Sequence, residues 1–486
     1  MSDPVHEPAD PSTEQPGTEA TFEVDVPSWI PPAVPWANLV LRSPTLVATT
    51  LDLFNRTVSE SLAHAPPCNR PSSTETGPTC RRGGELNYPS YGEWSPDGSL
   101  FLTTSNDQCL RMFALPEAAA ADASPALDSS EPWTAFRCLR EGEATMAATW
   151  YPGFSYYDPA TWCLAVSTRD HPIRLWNAYS GTPVGSYLAR DDREQVLSAN
   201  ALRFNLDGSR LYAGYRDLIL EFDTHRPGEP LARHPTRSTR RSRTGQRGIV
   251  SALAFNPDRS GLYAVGTFHN SVGLYTETDH RPLYLKQPPN GQGISQVQFS
   301  PCGHYLYIGT RKDALIYCWD IRQSGQFLFH LDRAQPTTSD GPVLAVAESH
   351  PSTHQRLTFD LDPTGQVLAT GTVSVTAEGR ACDGSVSFIQ APVGPSPDPS
   401  PAEAGSLLYT FQAHEDIVNT VKFHPHLPLL ATVAGQREAT EIDSSSEGGD
   451  DDISDPDSTG RLPARPDNSV RLWRYNSSTG TDDVAP

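Results

Sequence analysis

One unit of sequence, repeated seven times, limits what this chain can fold into more than any other feature. It is clearest between Gln296 and Asp320, QVQFSPCGHYLYIGTRKDALIYCWD. Val297 and Phe299 alternate with Gln296 and Gln298, the period-two pattern of a half-buried strand, and Ser300-Pro301-Cys302-Gly303 supplies residues that turn a chain. Tyr305–Thr310 is a second β-rich run, Arg311-Lys312-Asp313 turns it, and Leu315 to Trp319 forms a third. Three antiparallel strands cannot bury both faces of their sheet, so each unit must pack against copies of itself.

The same order of aromatic, turn, β-run, turn and aromatic recurs along the chain. The first-strand aromatics are Trp94, Trp150, Phe204, Phe255, Phe299, Phe359 and Phe423, and the third strands end at Phe113, Trp176, Phe222, Tyr275, Trp319, Phe388 and Trp473. Anchor spacing runs from 44 to 64 residues, with the excess in loops. Rigid units with elastic joints are what a radial array permits, because each blade touches only its two neighbours. The Trp319-Asp320 ending and the sevenfold count resemble a WD40 propeller. The expected fold is therefore all-β, a seven-bladed WD40-type β-propeller with a disordered acidic N-terminal tail and long loop inserts. The propeller is expected over 36–475, between tails at 1–35 and 476–486, with inserts at 116–132, 226–247, 391–405 and 438–467. Trp36 to Leu41 and Leu46 to Phe54 have strand-like density, and 46–54 is expected to close the last blade as its outer strand.

Eight cysteines show no CxxC pair, and several fall inside expected strands, so they read as free thiols of a nuclear or cytosolic protein. No apolar run approaches membrane-spanning length, and neither a membrane nor DNA is expected as a partner. The net charge of -21 is unevenly spread. Residues 1–40 carry seven acidic residues and no Lys or Arg, and 441–457 carry eight and none, whereas Arg226 to Arg247 carries seven Arg against one Glu. Ser444, with Glu447 three residues on, is a candidate phosphorylation site in that second acidic run, which could compete with RNA for the basic cluster. No GxSxG, P-loop, HExxH or dinucleotide fingerprint occurs; no enzyme activity, cofactor or metal is expected.

In a WD40 blade, the turn between the second and third strands and the link entering the next blade emerge on one face. Arg169, Arg216, Arg311, Lys312 and Arg437 fall at or beside such turns, and Arg190, Arg193, Arg237, Arg240, Arg241, Arg243 and Arg247 fall in such links. Tyr215 and Phe268 add aromatic planes at equivalent turns. Guanidinium groups for phosphates and flat rings for unstacked bases are what single-stranded RNA needs. Separately, His414, Thr432, Asp467 and Trp473 are placed to form a buried hydrogen-bonded tetrad in blade seven, and His424 and His426 read as structural.

Longer strings carry a closer resemblance. Asn87-Tyr88-Pro89, WSPDGS from Trp94, HPIRLW from His171, RKDALIYCWDIRQSG from Arg311, FDLDPTGQVLATG from Phe359 and HLPLLATVAGQR from His426 resemble the telomerase Cajal body protein family of WD repeat proteins, over roughly residues 87 to 473. The resemblance implies a nuclear scaffold that recognises small Cajal body RNAs, telomerase RNA among them. It also implies ribonucleoprotein proteins as partners and the cytosolic chaperonin as a folding aid. The competing reading is a protein-interaction propeller for splicing or chromatin complexes, without direct RNA contact.

Overall fold

Alternation becomes pairing in the computed structural model, which describes residues 36–41, 43–54, 87–120, 132–239, 242, 244–289, 291–311, 315–323, 327–333, 356–372, 384–392, 405–435 and 467–475. These residues lie in one unit, Ala33–Pro486. Seven four-stranded antiparallel sheets form a β-propeller. The blades occupy 89–140, 145–187, 201–235, 250–286, 294–332 and 359–412, and the seventh joins 418–474 to Thr45–Thr49. That N-terminal strand pairs antiparallel with Val470–Arg474, through Thr45 with Arg474 and Thr49 with Arg471.

Register repeats from blade to blade. In blade five Phe299 pairs with Leu306 and Leu306 with Trp319; the same ladder reads Trp94, Phe101, Phe113 in blade one and Phe423, Leu430, Trp473 in blade seven. Because a strand shows alternate residues to opposite faces, this ladder aims each blade's large residues at the same neighbour. Blade six departs from the expected anchors. Its ladder is Leu361, Leu368, Ile389, so Phe359 opens the first strand rather than ending it, and Phe388 faces the other way. Phe388 fills the cluster toward blade seven with Phe411, Phe423 and Trp473, whereas Ile389 packs toward blade five.

Two other expectations change. Trp36–Leu39 is a helical turn, because Trp36, Leu39 and Val40 share one helix face and enter the blade six–seven cluster, where Trp36 meets Phe423 and Tyr475 edge-on. The closing strand ends at Thr49, and Leu51–Leu53 is a 3-10 turn. Within 226–247, Ala232–Pro235 is the outer strand of blade three, and within 116–132 Glu117–Ala120 is a short helix.

The ring is sealed between blades seven and one by His424, which is buried in a turn after the first strand of blade seven. Its Nε2–H donates to the Gly98 carbonyl at 3.0 Å, and its Nδ1 accepts from the His426 and Leu427 N–H groups. Gly98 has φ +76, and a Cβ there would stand 2.3 Å from the imidazole, so no other residue fits the turn without displacing it. Both His424 nitrogens are thus committed to backbone, a structural role as read from the sequence. Of the described cysteines, Cys109, Cys138 and Cys318 are buried, whereas Cys302 is exposed in a turn.

Candidate nucleic-acid interface

The short turns and incoming links are tied together by backbone bonds. The Asp170 N–H reaches Ser198 in the link entering blade three, and Asp217 N–H donates to Gly248 O in the link entering blade four. Phe268 N–H bonds Ile249 O, and Arg311 exchanges backbone bonds with the link entering blade five. Blades two to five therefore present their second-to-third turns and incoming links at the same strand ends. Asp170 and Asp217 hold positive φ in these turns, at 56° and 57°, a conformation that short polar side chains tolerate.

The expected cations on this face divide by what already holds them. Arg237 donates to Asp217 at 2.6 Å, while the other Asp217 oxygen accepts the Gly248 N–H, so this guanidinium staples its link to the turn. Arg190 pairs with Glu194 at 2.9 Å on an open surface. Arg247 donates to the Ser242 carbonyl. Arg169, Arg193 and Arg216 are exposed and have no carboxylate partner among the described residues. Arg311 lies over the exposed Phe268 ring at 4.8 Å, joining the turns of blades five and four into one cation–aromatic surface. Beside it a cleft of about 500 Å³ is lined by Arg247, His269, Lys286 and Gln287.

Tyr215 is a correction. It is 3% exposed, packed in the blade three cluster, and burial pushes its phenol pKa upward, so it offers no plane to a base. Period two explains this: Tyr215 continues the inward row of Leu211 and Ala213. Arg240, Arg241, Arg243, Lys312, Arg437, Ser444 and the acidic run 441–457 lie outside the described residues.

A second group of cations was not expected. The central channel, about 560 Å³, is lined by residues including Tyr91, Glu93, Arg203, Arg356, Asp360 and Lys422. Arg203 pairs with Glu93 at 2.9 Å and Lys422 with Asp360 at 3.2 Å, whereas Arg356 lies 5.8 Å from the Tyr91 ring centre. The signal was present: Glu93, Arg203 and Lys422 each precede a first-strand aromatic, so alternation turns them from the blade interface into the channel.

Buried polar networks occupy the links for a different purpose. His414 Nδ1–H donates to Asp467 at 3.3 Å and its Nε2 accepts from Thr432 at 2.7 Å, while Trp473 Nε1 donates to Thr432 at 2.9 Å. Asp467 also accepts from Ser469, Arg471 and the Glu415 N–H; burial pushes its carboxyl pKa up, but His414 first, then Ser469 and the Glu415 N–H, hold it well below the usual range. Other blades solve the same problem with different chemistry. Glu141 accepts from Trp176 Nε1 at 2.7 Å and from Arg174 at 2.9 Å. Gln246 accepts from the Tyr275 hydroxyl and donates to Val265 O and Ser271 O. Asn87 bonds Asp107, which Arg111 and Ser105 also hold. Reading for His alone finds one blade, because Glu, Gln and Asn fill the equivalent place elsewhere.

Comparison with known proteins fits this geometry. The WD40 family, described as WD domain, G-beta repeat, matches residues 284–320 and 405–447. The chain is 34% identical over 387 residues to Telomerase Cajal body protein 1 of Mus musculus, covering 80% of this chain and 66% of that protein. It is 35% identical to the Homo sapiens protein of the same name, covering 75% of this chain and 60% of that one. It is also 31% identical to Guanine nucleotide-binding protein negative regulator 1 of Schizosaccharomyces pombe, over 59% of this chain and 69% of that one. The alignments to the mouse and human proteins thus span about two thirds of their length or less.

Proposed function

Since the chain belongs to the telomerase Cajal body protein family of WD-repeat propellers, we propose that it is a non-catalytic nuclear scaffold binding small RNA of the Cajal body class, telomerase RNA included. In this reading it directs assembly or nuclear-body localisation of the ribonucleoprotein, and reaches its fold with the cytosolic chaperonin. The observation that carries the reading is the shared face on which Arg169, Arg216 and Arg311 stand without carboxylate partners among the described residues, with Phe268 beside Arg311. Phosphates take the guanidiniums, and an unstacked base takes the ring or the Arg plane.

Crosslinking followed by RNA sequencing tests it. The wild-type chain enriches a small set of structured RNAs, and the Arg169→Ala/Arg216→Ala/Arg311→Ala variant loses most of that recovery. Three lost phosphate contacts lower the slope of log affinity against log salt by about 2, at ~0.7 per contact on a single strand. Equal recovery and equal slope from both proteins would sink the RNA reading. It would favour the second reading, a protein-interaction hub, for which the channel cations Arg203, Arg356 and Lys422 are the motivating feature.

A further inference from the structure

Between blades three and four, away from the turns just described, three metal-ligating side chains meet. Glu221 lies on the third strand of blade three, Leu218–Asp223, His234 on its outer strand, Ala232–Pro235, and His280 in the turn after the third strand of blade four, Ser271–Thr276. One donor atom from each falls within 4.8 Å of the others. His234 Nε2 stands 3.0 Å and His280 Nε2 3.7 Å from the same oxygen, Glu221 Oε2. The side chains keep 12–15% exposure, enough for an ion to enter.

The groups behind these three are also placed as a metal site requires. Tyr263 Oη lies 3.1 Å from His280 Nδ1, which fixes the ring and leaves Nε2 facing the cluster. Arg210 Nε holds the other Glu221 oxygen at 3.2 Å and its Nη1 bonds Asp223 at 3.1 Å, so the carboxylate is oriented from behind. Ligating imidazoles and carboxylates characteristically have such outer partners. His280 has φ +51, a left-handed conformation that the turn sustains while directing the ring at blade three.

From this arrangement we propose that Glu221, His234 and His280 form a binding site for a zinc-class divalent cation that clasps blade three to blade four. Two imidazole nitrogens and one carboxylate oxygen are a donor set suited to Zn²⁺, with water in the fourth position. The two rings now stack at 3.6 Å with 18° between planes. Converging on one ion turns them out of that stack. The proton His234 Nε2 now shares with Glu221 leaves to solvent, as metal binding displaces ligand protons.

The test uses the untagged full chain, stripped with a chelator and titrated with Zn²⁺ by calorimetry, with Co²⁺ as the spectroscopic probe. One equivalent of Zn²⁺ binds, and Co²⁺ gives the intense visible bands of a tetrahedral site. His234→Gln and His280→Gln each weaken Zn²⁺ binding by more than the roughly 10-fold to 100-fold expected of an outer-shell change such as Tyr263→Phe. Far-ultraviolet circular dichroism establishes that each variant is folded. Hydrogen exchange in 232–235 and 277–281 slows with Zn²⁺ in the wild type and stays unchanged in the His variants. Absence of stoichiometric binding to the wild type overturns the proposal, as does equal binding by folded His variants, which would put the ion elsewhere. The variants leave Arg169, Arg216 and Arg311 in place, so RNA recovery reports on the proposed function separately.

Discussion

At the seam, where Thr45–Thr49 completes blade seven, the largely buried Asp467 carboxylate accepts from His414, Ser469, Arg471 and the Glu415 N–H. At the Arg-bearing ends of blades two to five, Arg169 and Arg216 stand exposed and Arg311 rests on an aromatic ring. Both regions are built on the same kind of four-stranded blade. The difference is where desolvation has already been compensated: a buried charge with its partners removed is costly, whereas an exposed guanidinium loses little when deleted. Charges at the seam are tied into the fold, whereas Arg169 and Arg216 have no carboxylate partner among the described residues and stand exposed to solvent.

The largest expected effect tests the seam. Asp467→Ala leaves the Arg471 guanidinium and the buried His414 without their acceptor, and urea unfolding should show a loss of about 3–5 kcal/mol. Arg216→Ala should fall within about 0.5 kcal/mol of wild type. Comparable losses from the two variants would erase the distinction between the regions.

Acid provides the next test. Burial among apolar neighbours lowers the His424 pKa to about 4 from an ordinary 6.5. The folded state therefore binds this proton less readily than the unfolded state. Stability from this residue is complete above 6.5, falls as pH drops through the window toward about 4, and is absent below it. A difference of that size corresponds to roughly 3 kcal/mol across the window. In His424→Asn, whatever its stability at neutral pH, the slope of stability against pH between 6.5 and 4 should be shallower than in wild type; equal slopes would remove His424 as a titrating group of the seam.

Smaller effects sharpen the comparison inside the Arg-bearing region. Arg237→Ala removes a charge-assisted bond to Asp217 and should cost about 1.5–3 kcal/mol of stability while leaving the salt slope of RNA binding unchanged. Arg216→Ala should do the reverse, lowering that slope by about 0.7. Least of all, Arg190→Ala breaks an exposed pair with Glu194 and should change stability by about 0.2–1 kcal/mol in a thermal melt.

Period-two alternation with turn residues made the propeller readable, because register repeats wherever the aromatic ends its strand. It misled at blade six, where Phe359 and Leu361 share one face and Phe388 and Ile389 are both apolar, so sequence offers two registers and packing against blade seven selects one. Trp36–Leu39 read as extended because aliphatic density does not distinguish a strand from one helical turn aimed at a cluster. Several outer strands carried little signal; Pro282–Lys286 is almost wholly exposed and owes its conformation to pairing with Ser271–Thr276. At the candidate interface, positions of turn residues were readable, but commitments were not: no spacing rule says that Asp217 consumes Arg237, or that Tyr215 turns inward. Those outcomes depend on side chains brought together from separate turns and links.

The pairing of Thr45–Thr49 with Val470–Arg474 also sets the order of events at the ribosome. More than four hundred residues must be synthesised before the early strand meets its complement, and until then it has an unfilled edge to be sheltered. A translation product halted short of Val470 would leave the third strand of blade seven unmade and the early strand without the edge it pairs with.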